Sequence, residues 1–98
     1  MSRREMGERL EMLLVMQWLD EGAPEDGRVA LSVPTAASEL GLESDREGLL
    51  AVMGALGDLE DRSLVSVAWP SGGHAGGEAI VALSPEIRRD ARRLFGRT

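Results

Sequence analysis

Thr35-Ala36-Ala37-Ser38-Glu39-Leu40-Gly41-Leu42 opens the stretch that decides the fold, and that stretch runs on to Leu83. It reads as a short helix with Thr35 as N-cap after Pro34. Gly41 stops the helix where a left-handed residue is wanted. Ser44 and Glu47 have the Ser-x-x-Glu spacing of a capping box, in which each side chain satisfies a free backbone donor of the other. A second helix follows, with Leu49, Val52, Met53, Leu56 and Leu59 on one face at 3.6-residue spacing. Beyond it, Ser63-Leu64-Val65-Ser66-Val67-Ala68-Trp69 and Glu78-Ala79-Ile80-Val81-Ala82-Leu83 are β-like runs around a glycine-rich loop. The order over 35–61 and 63–83 is helix, turn, helix, hairpin.

Working outward, Arg4 to Glu21 reads as a long first helix with two apolar stripes. Leu10, Leu13, Leu14 and Trp18 form one; Met12, Val15, Met16 and Leu19 form the other. A helix apolar on two sides is covered on two sides. Either the helix lies between the rest of the domain and the C-terminal helix, or the second stripe meets a copy of itself. The second reading makes Met12, Val15, Met16 and Leu19 a homodimer interface, because so small a domain has little else to cover them. Gly22 to Gly27 is a loop rich in breakers and acids. Arg28 to Val33 alternates weakly and supplies a short extra strand. Ser84-Pro85-Glu86 starts a final helix, with Ser84 as N-cap and Pro85 in its first position. That helix runs to about Phe95, with Ile87, Ala91, Leu94 and Phe95 as its apolar face. Nothing divides the 98 residues, so an α+β fold in a single domain over 1–98 is expected: a three-helix core, a β-hairpin over 63–83 and an additional C-terminal helix over 85–95.

Composition narrows the function classes. Without cysteine, the chain has no disulfide, thiolate metal site or cysteine nucleophile, and it suits a reducing cytoplasm. The longest apolar run, Met12 to Leu19, is interrupted by Gln17 and too short to span a bilayer, so no membrane partner is expected. No secretion signal is read at the N-terminus. The net charge of −6 is unevenly spread. Residues 1–20 hold three Arg against four acids, 21–61 hold two Arg against ten acids, and 62–98 hold six Arg against three acids. The helix-turn-helix is thus the acidic part, the reverse of what phosphate neutralisation asks of a DNA reader.

Ala37-Ser38-Glu39-Leu40-Gly41-Leu42, Leu59-Glu60-Asp61-Arg62-Ser63-Leu64-Val65 and Val81-Ala82-Leu83-Ser84-Pro85-Glu86-Ile87-Arg88-Arg89 together resemble the winged helix-turn-helix domains of bacterial transcriptional regulators of the MarR and PadR type. The resemblance covers 37–69 and 79–90. It implies that the second segment ends the recognition helix and enters the wing. The third then leaves the wing and starts a terminal helix that often helps dimerisation. Two departures stand out. Between Gly41 and Leu59 there are several more residues than a short turn and recognition helix need, so either the turn is longer or the helix begins a turn early. The outward positions of that helix, Leu50, Ala51, Gly54, Ala55 and Asp58, offer none of the Arg, Asn or Gln side chains that bond base edges. The wing tip, 71–77, lacks a basic side chain for the minor groove and reads as a hairpin connection.

Catalysis is not expected from these residues, and neither a metal nor a cofactor site is read. His74 is a lone histidine in a glycine loop, Ser66, Ser71 and Ser84 have no neighbouring base, and the glycine pairs 72–73 and 76–77 lack phosphate-loop spacing. Asp58, Glu60 and Asp61 read as solvated acids. Trp18 and Trp69 read as core, since base stacking needs an aromatic cluster in a basic groove. Two function classes stay open. One is a regulatory module acting by dimerisation or by contact with another protein. The other is a sequence-specific DNA-binding regulator in which Arg46 and the terminal Arg3, Arg4, Arg88, Arg89, Arg92 and Arg93 contact phosphates. Charge and the outward helix face favour the first.

Overall fold

The first helix, α1 (Arg3–Asp20), begins one turn of capping chemistry earlier than its apolar pattern. The Glu5 amide donates to Ser2 Oγ (3.1 Å) and the Ser2 amide donates to Glu5 Oε1 (3.4 Å), a reciprocal box. The Ser2 amide foremost, and the Ser2 hydroxyl after it, hold the Glu5 carboxyl below its ordinary range. In the computed structural model, residues 2–42, 46–69 and 78–95 are described. Ser44, the 71–77 loop with His74, and Arg97 lie outside them.

Met6, Leu10, Leu14 and Trp18 recur along one side of α1 and are buried, with Val15 beside them. Trp18 is fully enclosed, and its indole Nε1 donates to the Pro24 carbonyl (2.8 Å), tying the following loop down. Then β1 (Arg28–Ser32) leads directly into α2 (Val33–Glu39). The N-cap of α2 is Ser32 rather than the expected Thr35: Ser32 is extended and its Oγ accepts from the Thr35 amide. Pro34, which has no N–H to satisfy, fits within that first turn, so the cap falls before the proline. Gly41 adopts φ +77°, and the Leu42 amide bonds the Ala37 carbonyl (2.8 Å), closing α2 as the sequence implies.

The next helix, α3 (Arg46–Asp61), spans 16 residues, so the extra length before Leu59 lies at least partly in a longer helix. Val52, Leu56 and Leu59 are buried, and Leu49 and Met53 pack at the core margin. Ser63 takes a left-handed φ of +60° and Leu64 returns a hydrogen bond to Leu59, so these two residues end α3 instead of starting a strand. The strand proper, β2 (Val65–Ala68), pairs antiparallel with β3 (Glu78–Leu83), which also pairs antiparallel with β1. The sheet order is therefore β1-β3-β2. Alternation sends Val29, Leu31, Val65, Ala79, Val81 and Leu83 into the core. Gln17 of α1 donates to the Ala30 carbonyl (2.6 Å), covering the otherwise open edge of β1.

The last helix, α4 (Pro85–Phe95), is capped by Ser84, whose Oγ accepts from the Ile87 amide (3.2 Å). Its expected apolar face is corrected at one end. Ile87 and Ala91 are buried, whereas Leu94 and Phe95 are 73% and 45% exposed. The helix overhangs α1 at that end, with no further element packed over it among the described residues. Overall, α1 packs chiefly on α3 and more lightly on β1 and α4. One side of its second stripe is thus covered within the chain.

Candidate functional site

Two surfaces are built from the residues that the sequence singles out. The first is the outward face of α3. Leu50 is half exposed there, and Ala51 and Gly54 are partly exposed. Ala55 and Asp58, expected beside them, are not outward. Ala55 is enclosed, and Asp58 turns toward α1, where its Oδ2 lies 3.1 Å from the place a Cβ on Gly7 would occupy. Gly7 lets the two helices approach closely, which draws this side of α3 against α1. Arg62 Nη2 sits 3.0 Å from Asp58 Oδ2, an ion pair whose geometry falls short of a directed hydrogen bond. The start of α1 stands beside the other end of the face. Arg3 Nη2 comes within 3.7 Å of the Cβ position of Gly54, and Ser2, Arg3 and Met6 line a shallow hollow of about 270 Å³ with Leu50, Ala51 and Gly54. The sequence signal for this contact is the absence of a side chain at position 54.

The second surface is the outer side of α1 with the end of α4. Here the expected stripe divides. Val15 belongs to the monomer core and Leu19 packs against that core, whereas Met12 and Met16 are 50% and 45% exposed. The free part of the stripe is therefore the methionine pair, and Val15 is corrected from interface to interior. Met12 stands between two grooves and lines both. The larger, about 700 Å³, lies between α1, β1 and α2, with Leu13, Leu31, Ala36 and Leu40 in its wall and Asp20, Glu39, Glu78 and Arg9 around it. The smaller, about 400 Å³, lies between α1 and α4 and includes Val15, Ile87, Leu94 and Phe95. Glu11 lines that smaller groove. Burial pushes its carboxyl above the usual range; Arg62 opposes this, and Glu8 and Asp90 add to it.

The arginines proposed for phosphate do not form one patch. Arg88 is turned inward: its Nη1 donates to the Glu25 carbonyl and its side chain lies against Gly27, whose φ of +69° and missing Cβ make room for it. It is thereby corrected from a phosphate contact to a brace between α4 and the loop before β1. Arg92 lies over the Trp18 ring, 5.5 Å from its centroid, and Arg93 pairs with Asp90 at 3.4 Å. Arg4 pairs with Glu8 at 3.7 Å, in the open. Arg3, Arg46 and Arg89 are exposed. Arg46 lies in the first turn of α3, and Arg3 lies beside its Gly54.

Among the described residues no group of His, Asp or Glu is placed to hold a metal ion, and no helix is long and apolar enough to cross a membrane. Trp18 is core, and Trp69 packs at the core margin. Comparison of the chain with models of known protein families, with curated proteins and with solved structures gave no match.

Proposed function

We propose that this chain is a winged helix-turn-helix module of regulator lineage that acts through self-association and protein contact on its α1–α4 face, not by reading DNA sequence. Support for the fold is the succession α1, β1, α2, α3, β2, β3, α4 around a three-stranded sheet in the order β1-β3-β2. The observation that carries the functional reading is the outward face of α3. Leu50, Ala51 and Gly54 present no donor or acceptor that discriminates base edges. A chain without cysteine also suits the reducing cytoplasm, where such modules work.

A second reading, a DNA-binding regulator, draws support from Arg3. Its guanidinium lies beside Gly54 and so brings one long cationic donor onto the α3 surface, on the helix that Arg46 begins. Phosphate contacts of this kind position a protein without specifying sequence, and they fade steeply with salt. Repeated selection from random duplexes separates the two readings. The proposal expects no enriched motif, and retention at ~50 mM salt that is lost near physiological salt. Recovery of a palindromic motif bound at nanomolar affinity overturns it in favour of the DNA reader.

A further inference from the structure

The tip of α4 and the larger groove are chemical complements. Leu94 and Phe95 form an exposed apolar tip, with Arg92 and Arg93 in the same last turn. The groove between α1, β1 and α2 has an apolar wall and a rim on which Asp20, Glu39 and Glu78 outnumber Arg9. In its own chain the tip cannot be the occupant as placed, for it lies across Met12, on the α4 side of α1. A two-fold related copy removes that difficulty. An isologous interface needs plug and socket on one surface, on either side of the axis. Met12, which lines both grooves, marks that position.

We propose that a second copy of this chain fills the larger groove, each protomer inserting Leu94 and Phe95 between α1, β1 and α2 of the other. Met12 and Met16 of the two α1 helices then meet near the axis. Arg93 changes partners: its contact with Asp90 is solvent-exposed on both sides and holds it weakly, whereas the groove rim supplies several carboxylates. The apolar tip gives the affinity, and the charges give register and a salt-dependent association rate. This rests on the self-association reading above and specifies its contact.

Because the chain has no cysteine, introduced thiols are its only ones. Leu94→Cys and Thr35→Cys, both at exposed positions, are mixed and oxidised gently, with far-UV circular dichroism confirming that each is folded. The expected result is a mixed disulfide between the two variants, forming at least about tenfold faster than either homodimer. In parallel, sedimentation equilibrium is expected to show Arg93→Glu and Glu39→Arg each weakening association about tenfold, and their mixture recovering it as a heterodimer. A dimeric unmodified chain with no preference for the mixed disulfide and no response to either charge reversal overturns the exchange while leaving self-association intact. A monomeric unmodified chain overturns both. Binding of the monomer to vesicles containing phosphatidylserine, lost in Leu94→Asp, assigns the tip to a lipid surface and also overturns the exchange.

Discussion

The outward face of α3 and the outer side of α1 with α4 are made of opposite materials. In the middle of the α3 face, Leu50 is half exposed and Ala51 and Gly54 partly so, with Arg3 reaching Gly54 from another helix. On the α1–α4 side the exposed positions are Met12, Met16, Leu94 and Phe95, long adaptable side chains beside two grooves. Methionine and aromatic side chains are the stuff of protein interfaces, whereas base readout needs directed hydrogen-bond groups. On the winged-helix reading proposed above, the face such a fold conventionally uses and the face its chemistry equips do not coincide, because function resides in side chains grafted onto a fold.

The largest effect is expected in the core beneath α1 and α4. Trp18 is fully buried, holds the Pro24 loop by its indole N–H and carries Arg92 of α4 on its ring. Trp18→Ala should cost about 3–5 kcal/mol, a large part of a small domain's stability. Urea unfolding followed by circular dichroism should show the whole chain losing structure in one transition; retention of a folded α3 region would mean that the faces are energetically separate.

Next comes the contrast itself. Met16→Glu is expected to weaken self-association at least about 100-fold, because a charge is buried without a partner. Leu50→Glu, an equally drastic change on the α3 face, should leave association unchanged. Both sites are half exposed in the monomer, so monomer stability should move by no more than about 0.5 kcal/mol in either variant. Equal effects of the two on oligomeric state, read by light scattering, would erase the distinction.

A smaller change tests the cationic rim of α3. Arg3→Ala and Arg46→Ala should weaken residual DNA retention equally for unrelated sequences, each lowering the slope of log K against log salt by about one. A sequence-dependent loss at Arg46 would move base reading back to α3.

The smallest effect concerns Glu11 in the groove between α1 and α4. Its carboxyl is raised in the folded chain, chiefly by burial, so the folded state holds its proton more tightly than the unfolded state does. Below the ordinary carboxylate range both states are protonated and the site costs nothing. As pH rises from that range through the folded value, stability falls, and the penalty persists at neutral pH. Glu11→Gln should therefore match the parent in acid and be slightly more stable at pH 7, by thermal melting across that range. A variant less stable at pH 7 would show that the Arg62 attraction outweighs burial.

Elements with their own chemical punctuation were legible in the sequence. Gly41 with its positive φ, the Ser84-Pro85 start of α4, the weak alternation over 28–33 and the β-like run over 78–83 are local facts, and the structure places a helix end, a helix start and two strands there. What was not legible depends on how closely two elements approach. Asp58 is drawn inward because Gly7 lets α1 close on α3, and Arg88 turns inward because Gly27 leaves it room. Periodicity placed Val15 with Met12 and Met16 on one stripe, but helix crossing decides which members of a wide stripe are covered. The overhang of Leu94 and Phe95 is likewise a matter of where α4 ends relative to α1. The groove that faces them is assembled from three elements and has no signature in any one of them.

Sedimentation equilibrium of the unmodified chain, from low to high micromolar concentration and beside Met16→Glu, tests most directly whether the α1–α4 face is the working surface. The account predicts a monomer–dimer equilibrium for the unmodified chain and a monomer throughout for the variant. A chain that is monomeric across the whole range, or a dimer indifferent to Met16→Glu, would contradict it.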